Sequence, residues 1–483
     1  MRGRRFVLIN RDYTLLWIGQ AVSSVGAAVF STTLVLWVAT DLAAGEPWAP
    51  MAVSGVLMAT SIAVLGIGPL AGVFVDRWDK RATMLRTEVV RGLLVGTLAI
   101  VSILPTRTLP VAVWLGLVYL TVLLLHTAAQ FFTPARFAII ADLVTGDADR
   151  ARAAGITQAT SQTAWIIGPP LAAPLLFTAG VQWSLFFNAA AYLVSFLAIR
   201  AVRSPTPEPA PEPTPEPVPE PAPDSVDPAP ERKGVWREFV AGLRFFARSR
   251  FLVALVILAS IGQFGVGALE TLNVFFVTET LDASAKLYGY IGMAMGIGGI
   301  TGALCAGRVV QWFGARRTTW IALLVSGALL MVYSRQTGFL GGVVVLFLFT
   351  VPLTMLNTAM APLLLGAAPS AYRGRVLAVF YPVTRMAAML AAVLSGWLAG
   401  TVLRDLDATL LGIDFGATDT IFTVSGLIVM ASGVYARFAL PDPDTPEGKP
   451  VDPPDPVEHA DPVERAEPAP ASERTPASER PAP

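Results

Sequence analysis

The stretch Gly72-Val-Phe-Val-Asp76-Arg77-Trp78-Asp79-Lys80-Arg81 ends an apolar run at a short basic turn, and a new apolar run begins at once. About 235 residues later, Gly307-Arg308-Val-Val-Gln311-Trp312-Phe313-Gly314-Ala315-Arg316-Arg317 repeats the arrangement. A helix, a basic turn and a helix repeated at so long a period are typical of membrane proteins built from two homologous halves. The repeat therefore predicts two bundles of membrane-spanning helices in one chain.

The composition agrees with a chain that lies largely in lipid. Of its 483 residues, 54% are hydrophobic and 14% are charged, with a mean hydropathy of +0.59; soluble domains carry roughly 25% charge. The formal net charge is zero, so no nucleic-acid partner is expected. One cysteine, Cys305, excludes an internal disulfide, and with only His126 and His459 a metal site is not expected. No phosphate-binding loop occurs either, so we expect no bound nucleotide and no cofactor.

Apolar segments of about 20 residues are long enough to cross a bilayer. Cutting the chain at charged or Pro/Gly-rich turns gives twelve of them: 13–40, 50–75, 82–104, 109–135, 151–178, 182–201, 251–279, 287–310, 317–334, 338–366, 374–403 and 418–438. The first is longer than the apolar core of a signal peptide, about 7–15 residues, so we interpret it as a membrane span.

The basic residues predict the orientation. With the amino terminus inside the cell, the outer loops hold only Arg107, Lys286, Arg335 and Arg404. Almost all other lysines and arginines then lie on the cytoplasmic side, as the positive-inside rule requires. Both ends of the chain are therefore expected in the cytoplasm.

Proline-rich segments divide the chain. Residues 204–233 carry proline at nearly every second position, which predicts an extended cytoplasmic linker between an N-terminal six-helix bundle, 1–203, and a C-terminal one, 249–440. Apolar and basic residues alternate at helical spacing in 234–248, which predicts an amphipathic helix on the membrane surface. Residues 441–483 have the composition of a disordered tail.

At the basic turn the sequence resembles the signature loop of the major facilitator superfamily. The segments Phe131–Arg136, Gly168-Pro169-Pro170 and Arg373–Val376 are similar to those of its drug:proton antiporter branch, which includes macrolide and siderophore exporters. The resemblance implies an all-α membrane protein with 12 transmembrane helices in two pseudo-symmetric six-helix bundles. The motif in span 5 departs from the family pattern beyond Pro170, and the arginine that other drug exporters carry in span 4 is absent near His126.

The resemblance also implies a latch at the cytoplasmic surface. The loop acid would accept hydrogen bonds from the free amides that begin span 11 and so hold the two halves in the outward-open state. The latch residues would be Gly72, Asp76, Arg77, Lys80, Arg81, Gly374 and Arg375. The alternative is that this charge only sets the topology.

Charged and titratable side chains inside the spans are candidates for proton coupling. Glu270 lies on a polar stripe of span 7 with Gln263 and Asn273, and a lipid-facing carboxylate would cost several kcal/mol. Arg385, near the middle of span 11, is its possible partner, and His126 of span 4 is a third candidate because a free histidine titrates near neutral pH. The alternatives are a fixed ion pair for Glu270 and a packing role for the histidine.

Other polar side chains at similar depth could line a substrate cavity or hold helices together. They are Gln20, Gln162, Trp165, Gln263, Asn273 and Asn357. Arg86, Glu88 and Arg91 are expected to pair with the loop cluster or reach the interface, without a substrate role. The glycines of span 8 predict close helix packing and not a nucleotide site.

These features together predict a monomeric secondary transporter of the bacterial inner membrane that is not an enzyme. Its partners would be protons, the bilayer and an amphiphilic small molecule, a drug or secondary metabolite, which it exports by alternating access in antiport with protons, driven by the proton gradient. A siderophore or lysophospholipid transporter is the alternative. Two alternatives come from other classes. A membrane-embedded enzyme would need polar groups that converge at one depth, and only the proline-rich segments favour a membrane scaffold.

Overall fold

The computed structural model describes residues 8–203, 244, 246–247, 249–366, 373–406, 408–410 and 413–439. The predicted linker, 204–233, and the predicted tail, 441–483, lie outside these ranges. The predicted surface helix, 234–248, is described only at Arg244, Phe246 and Ala247, which are helical.

Helices make up almost all of the described chain. The N-terminal half contains α1 (Arg11–Trp37), α2 (Ala49–Val75), α3 (Lys80–Val101), α4 (Val111–Leu143), α5 (Asp147–Pro174) and α6 (Val181–Ala201). The C-terminal half contains α7 (Arg250–Phe275), α8 (288–313), α9 (315–333), α10 (Phe339–Gly366), α11 (Arg373–Trp397) and α12 (Ala417–Ala439). Gly314 separates α8 from α9 within the stretch Tyr288–Tyr333, because its φ of +77° is a conformation that glycine adopts without strain.

Nine described stretches are long and apolar enough to cross a membrane, with α8 and α9 counted as one. Helices α3 and α5 begin at charged turns and are not among them, because α3 also carries Arg86, Glu88 and Arg91 and α5 is rich in Thr, Ser and Gln over 157–163. These charged beginnings are held by local geometry. The Asp79 side chain caps α3 by accepting a hydrogen bond from the amide of Ala82, and Gly146, with a φ of +94°, precedes α5.

The ends of four helices repeat between the halves. Each of α1, α5, α7 and α11 continues into one π-helical turn, at Val38–Leu42, Leu175–Ala179, Phe276–Thr280 and Leu398–Val402. Helices 1 and 7, and helices 5 and 11, are at equivalent positions in the two sets of six. A short antiparallel hairpin, Ala408–Leu410 with Ile413–Phe415, follows α11.

The two basic turns make the same bond. In the first half, the Arg81 side chain donates a hydrogen bond of 2.6 Å to the carbonyl of Arg200, in the last turn of α6. In the second half, Arg316 donates one of 3.0 Å to the carbonyl of Arg437, in the last turn of α12. An arginine at a helix carboxyl end satisfies carbonyls that have no partner within the helix. The repeated turn therefore ties helix 3 to helix 6 and helix 9 to helix 12.

The halves meet along two helix pairs, α5 with α8 and α2 with α11. Glycines bring these pairs close together. A Cβ on Gly289 would lie 2.4 Å from the carbonyl oxygen of Pro169, and one on Gly396 would lie 2.7 Å from that of Pro50. Small residues allow helix backbones to approach in this way. The glycines predicted to serve packing in span 8 thus lie against α5.

These contacts lie toward one end of the molecule. We call it the Trp48 end, since α2 begins there, and the other the Asp76 end, where α2 stops. At the Asp76 end, Asp76 and Trp78 are exposed, and a Cβ on Gly72 would meet no atom within 4 Å. The halves are therefore closed against each other at the Trp48 end, and the described residues leave the Asp76 end more open.

Candidate functional site

A buried carboxylate lies at the centre of the N-terminal half. Glu88 of α3 is 1% exposed, and its Oε1 accepts a hydrogen bond of 2.8 Å from Ser195 of α6. Ser195 Oγ accepts one of 3.0 Å from Gln20 Nε2 of α1, and Gln20 Oε1 accepts one of 3.4 Å from Arg136 Nη1 of α4. Four helices thus contribute to one polar chain. We call Glu88, Ser195, Gln20, Arg136 and Arg91 the N-half network.

Arg91 is the second cation of this network. Its Nη1 lies 3.7 Å from Glu88 Oε1, and its Nη2 donates a hydrogen bond of 3.3 Å to Tyr192 Oη. The guanidinium also lies over two rings, 4.4 Å from the centroid of Tyr192 and 5.3 Å from that of Phe132. Cation–π contacts of this kind stabilise an arginine that is largely removed from water. The geometry fixes Arg91 in the wall of the bundle.

A cavity of about 270 Å³ adjoins Arg91. Most of its wall is apolar and aromatic, including Phe30, Val122, Trp165 and Tyr192, and its other polar side chains include His126. A smaller pocket lined by Gln20 and Arg136 shares Ser24 and Ser161 with the larger one. The N-half network therefore lies between two neighbouring spaces in the same bundle.

The C-terminal half contains charges without such a network. Glu270 of α7 is exposed to solvent although protein atoms surround it densely, so it faces an internal space. It lies within electrostatic reach of Arg385 of α11 and of Tyr288. Among the residues that the structure describes, neither Glu270 nor Arg385 forms an ion pair within 4 Å. Arg385 also lies within electrostatic reach of His126 across the interface between the halves.

The structure describes the side chains of the predicted latch on the loop but not on α11. Asp76 and Arg77 are exposed, Lys80 and Arg81 are half-buried, and Arg81 binds α6. Helix α11 includes Gly374 and Arg375, whose side chains lie outside the described ones. The latch therefore stays a prediction.

The predicted motif of α5 lies where two interfaces meet. A Cβ on Gly168 would lie 2.4 Å from Ala28 Cβ of α1, and Pro169 and Pro170 contact Gly289 of α8. The motif thus packs α5 on its own half and on the other half at the Trp48 end. Bulkier residues at these positions would separate the helices.

The predicted cavity residues are placed differently from one another. Trp165 lines the large cavity, Gln20 the small one, and Gln162 faces Gly299 of α8, at 3.3 Å from the position a Cβ would take. Asn273 is buried and accepts a hydrogen bond from the Tyr333 hydroxyl. The remaining two, Gln263 and Asn357, are half-buried and exposed respectively.

The expectation for Glu88 and Arg91 differs from the structure. Arg86 is exposed, but Glu88 and Arg91 point into the bundle and not to the loop cluster or the interface. A helical stripe could have revealed this, because Glu88 is four residues after Met84 and seven before Val95, both fully buried. The partners on α1, α4 and α6 could not be read from α3 alone.

The model of the Major Facilitator Superfamily matches residues 16–386 and, in a second match, residues 262–480. The chain belongs to the Major Facilitator Superfamily. The resemblance and the all-α membrane fold expected from the basic turns are confirmed.

Curated relatives of this superfamily member include transporters from two bacteria. YfiS of Bacillus subtilis (strain 168), an uncharacterized MFS-type transporter, is 22% identical over 394 residues, 80% of this chain and 86% of that protein. The proposed bacilysin exporter BacE of the same organism is 29% identical over 150 residues, 31% of this chain and 35% of that protein. Macrolide efflux protein A of Streptococcus pyogenes is 23% identical over 193 residues, 40% of this chain and 44% of that protein. The chain thus matches less than half the length of the two relatives that are named as exporters.

Solved structures show the same fold. The nucleoside transporter NupG has a TM-score of 0.66 and 13% identity, with 89% of this chain and 100% of that chain covered. A D-xylose-proton symporter has a TM-score of 0.65 and 16% identity, with 91% and 99% covered. The protein is therefore an integral membrane transporter of the superfamily, with efflux proteins among its relatives, and not an enzyme.

Proposed function

We propose that this transporter exports amphiphilic small molecules across the bacterial inner membrane in exchange for protons. The observation that supports export of an amphiphile is the cavity of about 270 Å³ in the N-terminal half, with its aromatic and apolar wall and one arginine. Such a wall accepts an apolar body, and a few polar groups set the orientation of a ligand. The names of the efflux relatives agree with this direction of transport.

Alternating access accounts for the asymmetry between the two ends. With the Asp76 end in the cytoplasm, the closed Trp48 end faces the periplasm, and substrate enters from the cytoplasm or the inner leaflet. Release requires that α5 separates from α8 and α2 from α11 at the Trp48 end. Asp76 then reaches the first turn of α11 and acts as the latch.

Glu270 is the proposed proton carrier. It faces an internal space. The cation whose charge acts on it is Arg385 of α11, the helix that packs against α7. A negatively charged Glu270 attracts Arg385, and a protonated one does so far less, so the packing of α7 on α11 depends on the proton. A carboxylate that is exposed to an internal space can exchange its proton with the compartment to which that space opens, the periplasm in one state and the cytoplasm in the other.

Neutralising the carboxylate tests this role. We expect Glu270→Gln to abolish efflux driven by a pH gradient, because the carrier can no longer be loaded and unloaded. The measurement is accumulation of a panel of dyes and antibiotics in cells that produce the protein and in cells that do not, with membrane levels matched. Glu279→Gln, an exposed acid at the end of the same segment, is the matched control. Undiminished efflux by Glu270→Gln would exclude Glu270 as the carrier.

A disulfide across the closed end tests alternating access. A Cβ on Gly396 of α11 would lie 3.0 Å from Ser54 Cβ of α2, about 0.5 Å closer than the Cβ atoms of a disulfide, so a slight separation of the helices brings two cysteines to bonding distance. In a Cys305→Ser background, we expect oxidation of the pair Ser54→Cys and Gly396→Cys to stop efflux and reduction to restore it. Each single cysteine variant is the control. Full efflux with the disulfide formed, as judged by gel mobility, would contradict the opening of this end.

A further inference from the structure

The N-half network contains more positive than negative charge. Glu88, Arg91 and Arg136 lie within electrostatic reach of one another, which gives two guanidinium groups and one carboxylate. His126 and Tyr192 also line the adjoining cavity, and the charged side chains that act on His126, Arg91 and Arg385, are both positive. Arg91 is the charged side chain in the described wall of the cavity, and a low-dielectric surrounding strengthens its field.

These guanidinium groups use few of their hydrogen-bond donors. Within the described residues, Arg91 makes one hydrogen bond to protein, to Tyr192, and Arg136 makes one long bond, to Gln20. The Nε of each arginine is buried without a hydrogen-bond partner in the described protein. An arginine has five N–H donors, and buried donors that lack partners carry a desolvation cost.

Arg91 is also the cation in the wall of the large cavity. Its side chain is 12% exposed, and Tyr192 and Phe132 hold the plane of its guanidinium group. Beyond it the wall includes Phe30, Leu34 and Val122. A planar cation at the edge of an apolar space matches a ligand with an anionic head and an apolar body, since guanidinium binds carboxylate and phosphate oxygens in pairs.

We infer that the cavity of the N-terminal half binds amphiphiles through an anionic group, a carboxylate or a phosphate, which pairs with Arg91. The inference rests on the proposed export of amphiphiles and names the charge class of the substrate. Glu88 lies beside Arg91 but neutralises only one of the two guanidinium charges, so the N-half network keeps a net positive charge that a ligand anion at Arg91 can balance. Ser195 and Gln20 keep Glu88 in place and so keep Arg91 at the cavity wall.

Dansyl derivatives that share one fluorophore test this inference. The probes are dansyl-glycine and dansyl-O-phosphoethanolamine as anions, dansyl-glycinamide as the neutral form and dansyl-ethylenediamine as the cation. Binding to the purified full-length protein is measured by the change in dansyl fluorescence. We expect the wild type to bind at least one anion about tenfold or more tightly than the cation, as one charge-assisted pair allows. The two anions distinguish a carboxylate from a phosphate site.

Two variants locate the effect at Arg91. Arg91→Gln should lose about tenfold in affinity for the anion and little for the neutral probe, and Arg91→Lys should keep part of the preference. Arg86→Gln, at the exposed position of the same helix, is the control. Equal or tighter binding of the cation by the wild type would overturn the inference, as would an equal loss for all probes in both Arg91 variants. Efflux in the cell panel without any anion preference would overturn it and leave the proposed export intact.

Discussion

The two halves of the molecule use the same device on their surface. Arg81 binds the carboxyl end of α6 in the first half, and Arg316 binds the carboxyl end of α12 in the second. Both arginines come from the basic turn that the sequence repeats. The repeated residues therefore hold the scaffold together, and this part of the turn is equivalent in both halves.

The interiors of the halves differ. In the first half, Glu88 takes part in a chain of hydrogen bonds that reaches Arg136 through two other helices. In the second half, Glu270 and Arg385 act on each other only through space. A connected network fixes its groups in position, whereas an unpaired carboxylate can change its charge with less disruption. We propose that the first half binds the substrate and the second half carries the proton.

The largest expected difference between the halves is in the stability lost when the acid of each half is removed. Glu88→Ala leaves Arg91 and Arg136 buried without their carboxylate, and breaking a buried ion pair in this way costs about 3 kcal/mol or more. Glu270→Ala removes a solvent-exposed carboxylate without an ion pair and should cost less than about 1 kcal/mol. Thermal unfolding of the two purified variants in one detergent checks this. Equal midpoints would show that the N-half network is not a fixed unit.

A smaller loss of stability, equal in the two halves, is expected when the surface arginines are replaced. Arg81→Ala and Arg316→Ala each remove a hydrogen bond to a helix carboxyl end, which contributes about 1 kcal/mol. Arg317→Ala, at an exposed neighbouring position, is the control for lost positive charge. The same unfolding measurement applies. A large loss in one half alone would mean that the repeated turn has unequal roles.

Much of the fold could be predicted from the sequence. The period of the basic turn predicts two halves, and the lengths of the apolar segments predict the helices, because both signals are local or repeated. The sequence does not show which helices come into contact. Gly289 and Gly396 are visible in it, but the helices they approach, α5 and α2, are determined by tertiary packing.

The candidate site was only partly predictable. Glu270, Arg385 and Trp165 stand out in the sequence because polar or aromatic residues within apolar spans attract notice. The sequence predicts Glu88 near the loop cluster or the interface, because basic residues surround it near the start of α3. Its burial depends on Ser195, which lies 107 positions away and has no charge to mark it.

Transport in proteoliposomes tests the division of roles most directly. The compound is the one that gives the largest expression-dependent efflux in the cell panel, and two modes are compared: exchange of labelled for unlabelled compound, and uptake driven by a pH gradient. We expect Glu270→Gln to retain exchange and lose driven transport, and Arg91→Gln to lose both. Driven transport by Glu270→Gln at the wild-type rate would contradict the account, as would exchange by Arg91→Gln at the wild-type rate.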